Sequence, residues 1–109
     1  MIHQGTRASN GTFQGPVMVL TSHKNVNKLV PGTVMVVPDT DPDWMPAFEY
    51  LAEHKGAIVT EIGGRLCHAA VVSRELGIPC VVGLTSATVH LANGQMVEVD
   101  GSKGTVRIL

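Results

Sequence analysis

Residues 57–83 read AIVTEIGGRLCHAAVVSRELGIPCVVG, a stretch in which two short apolar runs flank a glycine pair and a histidine. The runs Ala57–Glu61 and Pro79–Gly83 are almost continuously apolar, which is typical of strands covered on both faces. Turn-forming glycine and proline residues bound both runs. The stretch therefore predicts two buried strands joined through a glycine loop and a helix.

The helix between these strands is predicted from about His68 to Leu76. Ala69, Val72 and Leu76 recur at helical spacing and so define one apolar face. Gly77 follows in the position that commonly takes a left-handed conformation after a helix, with an isoleucine and a proline behind it. The sequence thus predicts a strand, a glycine loop and a helix that begins close to His68.

Further strands are predicted on both sides of this unit. The sequence Asp100-Gly101 favours a tight hairpin between the last two of them. Together with the unit above, these strands predict a compact α/β domain that mixes antiparallel and crossover connections. The additional strands are Pro16–Thr21, Thr33–Val37, Met96–Asp100 and Thr105–Leu109.

A second helix is predicted over Pro42–His54, where Trp44, Phe48, Leu51 and Ala52 recur near every 3.6 residues. Asp43 is the expected cap, and Pro46 is tolerated in the first turn because no N–H is needed there. We expect Trp44 to be a core residue. Weaker helical turns are predicted over Asn25–Leu29 and Thr85–Leu91.

Composition narrows the classes of function. The 109 residues suit one domain, and 44% of them are hydrophobic while 16% are charged, with a net charge of −1. No excess of basic residues suggests a nucleic-acid partner, and no apolar run is long enough for a membrane span. Without a signal-like N-terminus, and with only Cys67 and Cys80, we expect a cytoplasmic protein with reduced thiols.

His68 is the candidate functional residue. The glycines before it permit unusual backbone angles, and a helix start offers unpaired N–H groups that favour a phosphate. A neutral imidazole is also a competent nucleophile near neutral pH. These features allow a histidine that carries a phosphoryl group, but they equally allow a histidine that only caps or packs against a helix. A carrier histidine must be solvent-accessible and lie outside any deep cavity.

The segment Gly63-Gly64-Arg65-Leu66-Cys67-His68-Ala69-Ala70-Val71-Val72-Ser73-Arg74 closely resembles the phosphohistidine signature of phosphoenolpyruvate-utilising enzymes. These include phosphoenolpyruvate synthase, pyruvate phosphate dikinase, rifampicin phosphotransferases and Enzyme I of the sugar phosphotransferase system. The resemblance continues through Glu75–Gly83. It extends more loosely to Pro31–Val34 and to the closing hairpin from Val99 to Val106.

This resemblance implies the swivelling three-layer β/β/α phosphohistidine domain, spanning residues 1–109. It implies that His68 carries the phosphoryl group on Nε2, the tele nitrogen. Thr60, Gly63, Gly64, Ala69 and Arg74 are the residues expected at the phosphate, although a salt bridge to an acidic residue would explain Arg74 equally well. Cys67 is expected to be a packing residue that takes no part in the phosphoryl chemistry.

The resemblance also implies partners. An ATP-grasp domain or subunit would load His68, with Mg²⁺ and ATP (or phosphoenolpyruvate) bound on that partner and no cofactor on this chain. A second domain or subunit would pass the group to pyruvate or another acceptor. One position departs from the signature, because Leu66 stands where serine, threonine or asparagine is usual. We expect this carrier to lack regulatory phosphorylation there, with a weakened phosphate site as the alternative.

Other interpretations are weaker. Asp39, Asp41 and Asp43 have the opening spacing of a calcium loop, but Trp44 and Tyr50 replace its glycine and glutamate. The cysteines and histidines lack zinc spacing, so no metal site is predicted. The early glycines are not followed by the Lys-Ser/Thr of a P-loop. A non-catalytic regulatory or interaction module with the same fold remains the alternative function.

Overall fold

The structure is a computed structural model that describes residues 1–109. It contains eight strands, three α-helices and two short 3-10 helices. The strands are β1 (Ile2–Gln4), β2 (Thr6–Ser9), β3 (Thr12–Val19), β4 (Thr33–Val37), β5 (Gly56–Thr60), β6 (Cys80–Val82), β7 (Met96–Asp100) and β8 (Thr105–Ile108), the α-helices are α1 (Met45–His54), α2 (His68–Leu76) and α3 (Ala87–His90), and the 3-10 helices are His23–Lys28 and Pro42–Trp44.

The strands form one continuous sheet in the order β1-β8-β7-β3-β4-β5-β6-β2. Strands β3 to β6 are parallel neighbours, whereas β1, β8, β7 and β2 join antiparallel. The two edge strands, β1 and β2, are joined by the single residue Gly5, so the two ends of the sheet lie next to each other. The Gly5 amide donates to the Gly104 carbonyl at 2.8 Å. Glycine is required at Gly101, where a Cβ would overlap the Ser9 carbonyl oxygen.

Two apolar clusters divide the fold into three layers. On one face of the parallel strands, α1 and α2 pack through residues such as Phe48, Leu51 and Ala70. On the other face, valines of the parallel strands pack against Val97, Val99 and Val106 of the β7–β8 hairpin. The predicted three-layer β/β/α architecture is therefore confirmed, with the parallel strands as the central layer. Strands β4, β5 and β6 are fully buried, as their apolar runs predict.

The sequence predictions differ from the structure at the N-terminal end. The strand predicted over Pro16–Thr21 is β3, which begins four residues earlier at Thr12. The short strands β1 and β2 were not predicted at all. Their residues are mostly exposed or half-buried, so their sequence carries no run of buried apolar residues. They are edge strands, and their partners on β8 and β6 are remote in sequence.

The helix predicted over Pro42–His54 forms as a 3-10 turn followed by α1. Its cap is Asp41, whose carboxylate accepts the Asp43 amide at 2.9 Å, so the assignment of the cap to Asp43 was wrong. Trp44 is buried, as predicted. Ala52 is exposed and Ala47 occupies the buried face in its place.

Helix α2 has the predicted bounds. It ends at Gly77, whose φ of 72° and ψ of 31° are left-handed, and the Ile78 amide closes the turn on the Ser73 carbonyl at 2.9 Å. Leu76, which was assigned to the apolar face, is 39% exposed. The buried face is formed by Ala69, Ala70 and Ser73.

Candidate functional site

His68 is the first residue of α2 and follows the loop that leaves β5. The residue before the helix, Cys67, has extended backbone angles, and its side chain makes no capping hydrogen bond. The Cys67 amide closes a turn on the Gly64 carbonyl at 3.1 Å. The predicted strand, glycine loop and helix therefore place His68 at the start of α2, as expected.

The two ring nitrogens of His68 have different surroundings. Nδ1 lies 2.9 Å from the Thr40 hydroxyl oxygen. The edge-on ring of Phe48 contacts the imidazole, with centroids 5.5 Å apart and an angle of 83° between the planes. Nε2 makes no hydrogen bond and is not a buried atom. The ring is thus half-buried and held at Nδ1, while Nε2 keeps some contact with solvent, and His68 lines none of the three cavities of the molecule.

Sequence reasoning missed Thr40, which is 28 residues before His68. Strands β4 and β5 are parallel and in register, with Val37 opposite Thr60, so the segments that follow them emerge at the same edge of the sheet. Thr40 follows β4, and the loop to His68 follows β5. Because ligands of α/β sheets bind outside the carboxyl ends of parallel strands, a threonine just after β4 was a usable signal.

The start of α2 has unpaired backbone donors. Within α2, the first backbone amide that donates to a carbonyl is that of Val71, whose acceptor is the Cys67 carbonyl at 3.0 Å. The amides of His68, Ala69 and Ala70 have no acceptor. Such amides, together with the positive end of the helix dipole, attract an anion. Ala69 is buried, so its contribution to an anion site would come from its amide and not from its side chain.

The two glycines before His68 have different roles. Gly63 has a φ of 128°, and a Cβ there would lie 2.8 Å from the Cys67 sulfur, so the fold itself needs glycine. A Cβ on Gly64 would meet nothing within 4 Å. Thr60 is completely buried, and its hydroxyl donates to the Ile62 carbonyl at 2.8 Å, which shapes the turn after β5.

Arg74 lies in the last turn of α2, about 9 Å along the helix from His68. Its guanidinium donates to the carbonyl of Ala8 in β2 at 2.8 Å and to the carbonyl of Arg65 at 2.6 Å. The salt bridge offered as an alternative is not present, since the one ion pair of the structure joins Arg107 and Glu98. The structure does not bring Arg74 to His68; the side chain instead ties the loop to β2.

The cysteines are both free. Cys67 is half-buried and packs against the core on the helix side of the sheet. Burial raises the pKa of the Cys80 thiol to about 12. No three or more His, Cys, Asp or Glu side chains are grouped so that they could hold a metal ion.

The sequence of the chain is similar to a family of known proteins. The family described as "PEP-utilising enzyme, mobile domain" matches residues 29–104. A probable phosphoenolpyruvate synthase of Archaeoglobus fulgidus is 48% identical over 94% of this chain, and the phosphoenolpyruvate synthase of Pyrococcus furiosus is 46% identical over 97%. The chain spans only 13% and 12% of their respective lengths. No helix of the structure is long and apolar enough to cross a membrane.

A solved structure shows the same fold. The solution structure of Enzyme I (nEIt) is 32% identical and superposes with a TM-score of 0.64, covering 77% of this chain and 33% of that one. In this chain the same fold has His68 as the first residue of α2. The chain belongs to the family of mobile domains of PEP-utilising enzymes.

Proposed function

We propose that this chain is a phosphocarrier, in which His68 accepts a phosphoryl group from an ATP-dependent or phosphoenolpyruvate-dependent partner and delivers it to an acceptor such as pyruvate. The observation that carries the proposal is the asymmetry of the imidazole. Nδ1 is engaged by Thr40, while Nε2 keeps some contact with solvent at the start of α2. A carrier needs one free, oriented nucleophilic nitrogen that two partners can reach in turn.

The chemistry follows from this geometry. When Nδ1 carries the proton and donates to Thr40, Nε2 holds a lone pair. That lone pair attacks the phosphorus of the donor, an N–P bond forms, and the P–O bond to the leaving group breaks with its electron pair staying on oxygen. The positive charge that develops on the ring is stabilised at Nδ1–H by the Thr40 hydroxyl. In the second transfer, an oxygen of the acceptor attacks the same phosphorus, and the N–P electron pair returns to Nε2.

The start of α2 supports the charge of the transferred group. Phosphohistidine carries a phosphoryl dianion close to the free amides of His68, Ala69 and Ala70. The open space over Gly64 leaves room for the group and for an approaching partner. By contrast, the hydroxyl of Thr60 and the guanidinium of Arg74 donate to backbone carbonyls, so we propose that these two residues stabilise the conformation of the loop and do not bind the phosphoryl group.

The partners follow from the family. Since the chain spans about an eighth of the curated relatives, we propose that an ATP-grasp domain or subunit loads His68 and a second domain or subunit receives the group. Mg²⁺ and the nucleotide or phosphoenolpyruvate would be bound by those partners. The two free thiols are in keeping with a reducing compartment, and we propose the cytoplasm.

Phosphoryl transfer to His68 can be tested directly. The donor is Pyrococcus furiosus phosphoenolpyruvate synthase whose own reactive histidine is replaced by alanine, supplied with ATP labelled in its β- and γ-phosphates. We expect one acid-labile, base-stable label per chain, none in His68→Ala, and normal labelling in the matched control His54→Ala, which removes an exposed histidine of α1.

The competing interpretation is a regulatory or interaction module that keeps the fold without carrying phosphate. That interpretation predicts no labelling of the wild-type chain by the ATP-dependent donor. Label that persists in His68→Ala would also contradict the proposal, because it would place the phosphoryl group on another residue. The circular dichroism spectrum of His68→Ala must match that of the wild type, because a loss of labelling is informative only if the variant is folded.

A further inference from the structure

A basic cavity of about 940 Å³ lies beside the His68 loop and is separate from the histidine itself. It is enclosed by the end of β2, the loop before α2 and the last turn of α2. None of its lining residues is acidic. The residues that line it are Arg7, Ala8, Ser9, Asn10, Arg65, Leu66, Arg74 and Gly77.

The positive charge of this cavity is not neutralised within the chain. Three of the four arginines of the sequence line it, although the net charge of the chain is −1. Since the only ion pair of the structure is elsewhere, Arg7, Arg65 and Arg74 have no carboxylate partner. Arg74 is held by two backbone carbonyls, which fix its guanidinium but leave its charge uncompensated. The cavity therefore attracts negative charge, and one of its three guanidinium groups is fixed in place.

An exposed apolar residue lies among these cations. Leu66 lines the cavity and is 88% exposed, more than any other large hydrophobic side chain of the molecule. A phosphate chain would use the guanidinium groups but gain nothing from a leucine. A protein segment uses both, because interfaces combine arginine contacts with buried apolar anchors. The lining therefore fits an acidic protein segment better than a small anion.

We propose that this cavity, which we call the Arg7/Arg65 cleft, docks an acidic segment of the domain or subunit that loads His68. The proposal rests on the proposed function, because the occupant is identified by the position of the cleft. Arg65 and Leu66 lie in the same loop as the reactive histidine, so a partner seated on them is held next to Nε2. Opposite charges would guide the encounter and fix its orientation.

The test uses the full chain and a capped peptide, Asp-Glu-Leu-Glu-Asp, as probe. In ¹⁵N NMR titrations at low salt, we expect saturable shifts centred on the amides of Arg7, Arg65 and Leu66. Arg7→Gln/Arg65→Gln should weaken binding on the order of tenfold or more, as expected for loss of two charge contacts. The matched control Lys24→Gln/Lys28→Gln removes two positive charges from the 3-10 helix His23–Lys28 and should change binding less than twofold.

Two further measurements separate this proposal from its alternatives. Leu66→Ala should weaken binding of the peptide but not of sodium tripolyphosphate. His68→Ala should bind the peptide like the wild type, so that a failure of phosphoryl transfer and a failure of docking are distinguishable. The proposal would be overturned if the arginine and lysine double variants lost equal amounts of affinity for the peptide. It would also be overturned if the wild-type chain bound tripolyphosphate tenfold more tightly than the peptide. The second outcome would indicate a site for a phosphate-bearing small molecule.

Discussion

Replacing Thr40 by valine tests whether its hydroxyl orients the reactive imidazole. Valine keeps the branched shape at a position that is only 8% exposed, but it removes the group that lies 2.9 Å from Nδ1 of His68. An ordinary hydrogen bond contributes about 0.5–1.5 kcal/mol net. We expect the free energy of unfolding to fall by about that amount, with no change of fold.

The same bond should stabilise the ring in the form that attacks through Nε2. When Nε2 attacks, Nδ1 must carry the proton and the Thr40 hydroxyl accepts a hydrogen bond from it, so losing a bond worth about 0.5–1.5 kcal/mol should disfavour this form of the ring roughly 2- to 13-fold. If Nε2 is the nucleophile, the initial rate of phosphoryl loading should fall by roughly the same factor. Ring ¹⁵N shifts report the tautomer, and the labelling assay reports the rate.

Thr40→Ser is the control for this experiment. Serine retains a hydroxyl at the same distance along the side chain, so it should restore most of the loading rate and the tautomer ratio. The reasoning is refuted if Thr40→Val loads at the wild-type rate with an unchanged tautomer ratio. A drop in stability with no change at the ring would likewise reduce Thr40 to a packing residue.

Three further predictions concern the loop and the thiols. Gly63→Ala should lower the free energy of unfolding by roughly 1–3 kcal/mol in denaturant melts, because of its φ of 128°, whereas Gly64→Ala should leave stability unchanged and affect only loading. Leu66→Thr should fold normally and load at least as fast as the wild type at saturating donor, although loss of the apolar anchor in the Arg7/Arg65 cleft should raise the donor concentration that is needed; a loss of orders of magnitude in the saturated rate would show that the leucine is needed. Because the pKa of Cys80 is raised to about 12 in the folded state, iodoacetamide at pH 8 should modify Cys67 and spare Cys80, as mass spectrometry can determine.

The raised pKa also predicts a dependence of stability on pH. The Cys80 thiol has a pKa of 9.0 in the unfolded chain and a higher pKa in the folded chain. Below pH 9 the thiol is protonated in both states, so its contribution to the free energy of unfolding is fully present there. As the pH rises from about 9 towards 12, the unfolded chain ionises and the folded chain does not, so stability should decline. Cys80→Ala should remove this part of the decline, and an identical pH profile in both proteins would argue against the assignment.

Much of the site could be predicted from local sequence. The bounds of α2, its glycine terminus and the position of His68 at its start depend on residues within about ten positions of one another. Hydrogen bonds along a helix and the conformational freedom of Gly63 and Gly77 are local properties. The buried strands β5 and β6 were predictable for a related reason, since a run of apolar residues indicates burial on both faces.

Other features depend on contacts between residues that are distant in sequence. Thr40 reaches His68 only because β4 and β5 are parallel and in register, so that both following segments emerge at one edge of the sheet. Arg74 donates to the carbonyls of Ala8 and Arg65, 66 and 9 residues away, whereas the family resemblance implied a phosphate ligand and a salt bridge was the alternative. The basic cleft exists because β2 pairs with β6 beside α2. Local sequence determined that His68 lies at the start of α2 after a glycine loop, whereas tertiary structure decided which of its ring nitrogens is free and what surrounds it, because strand pairing and not proximity along the chain brings the side-chain partners together.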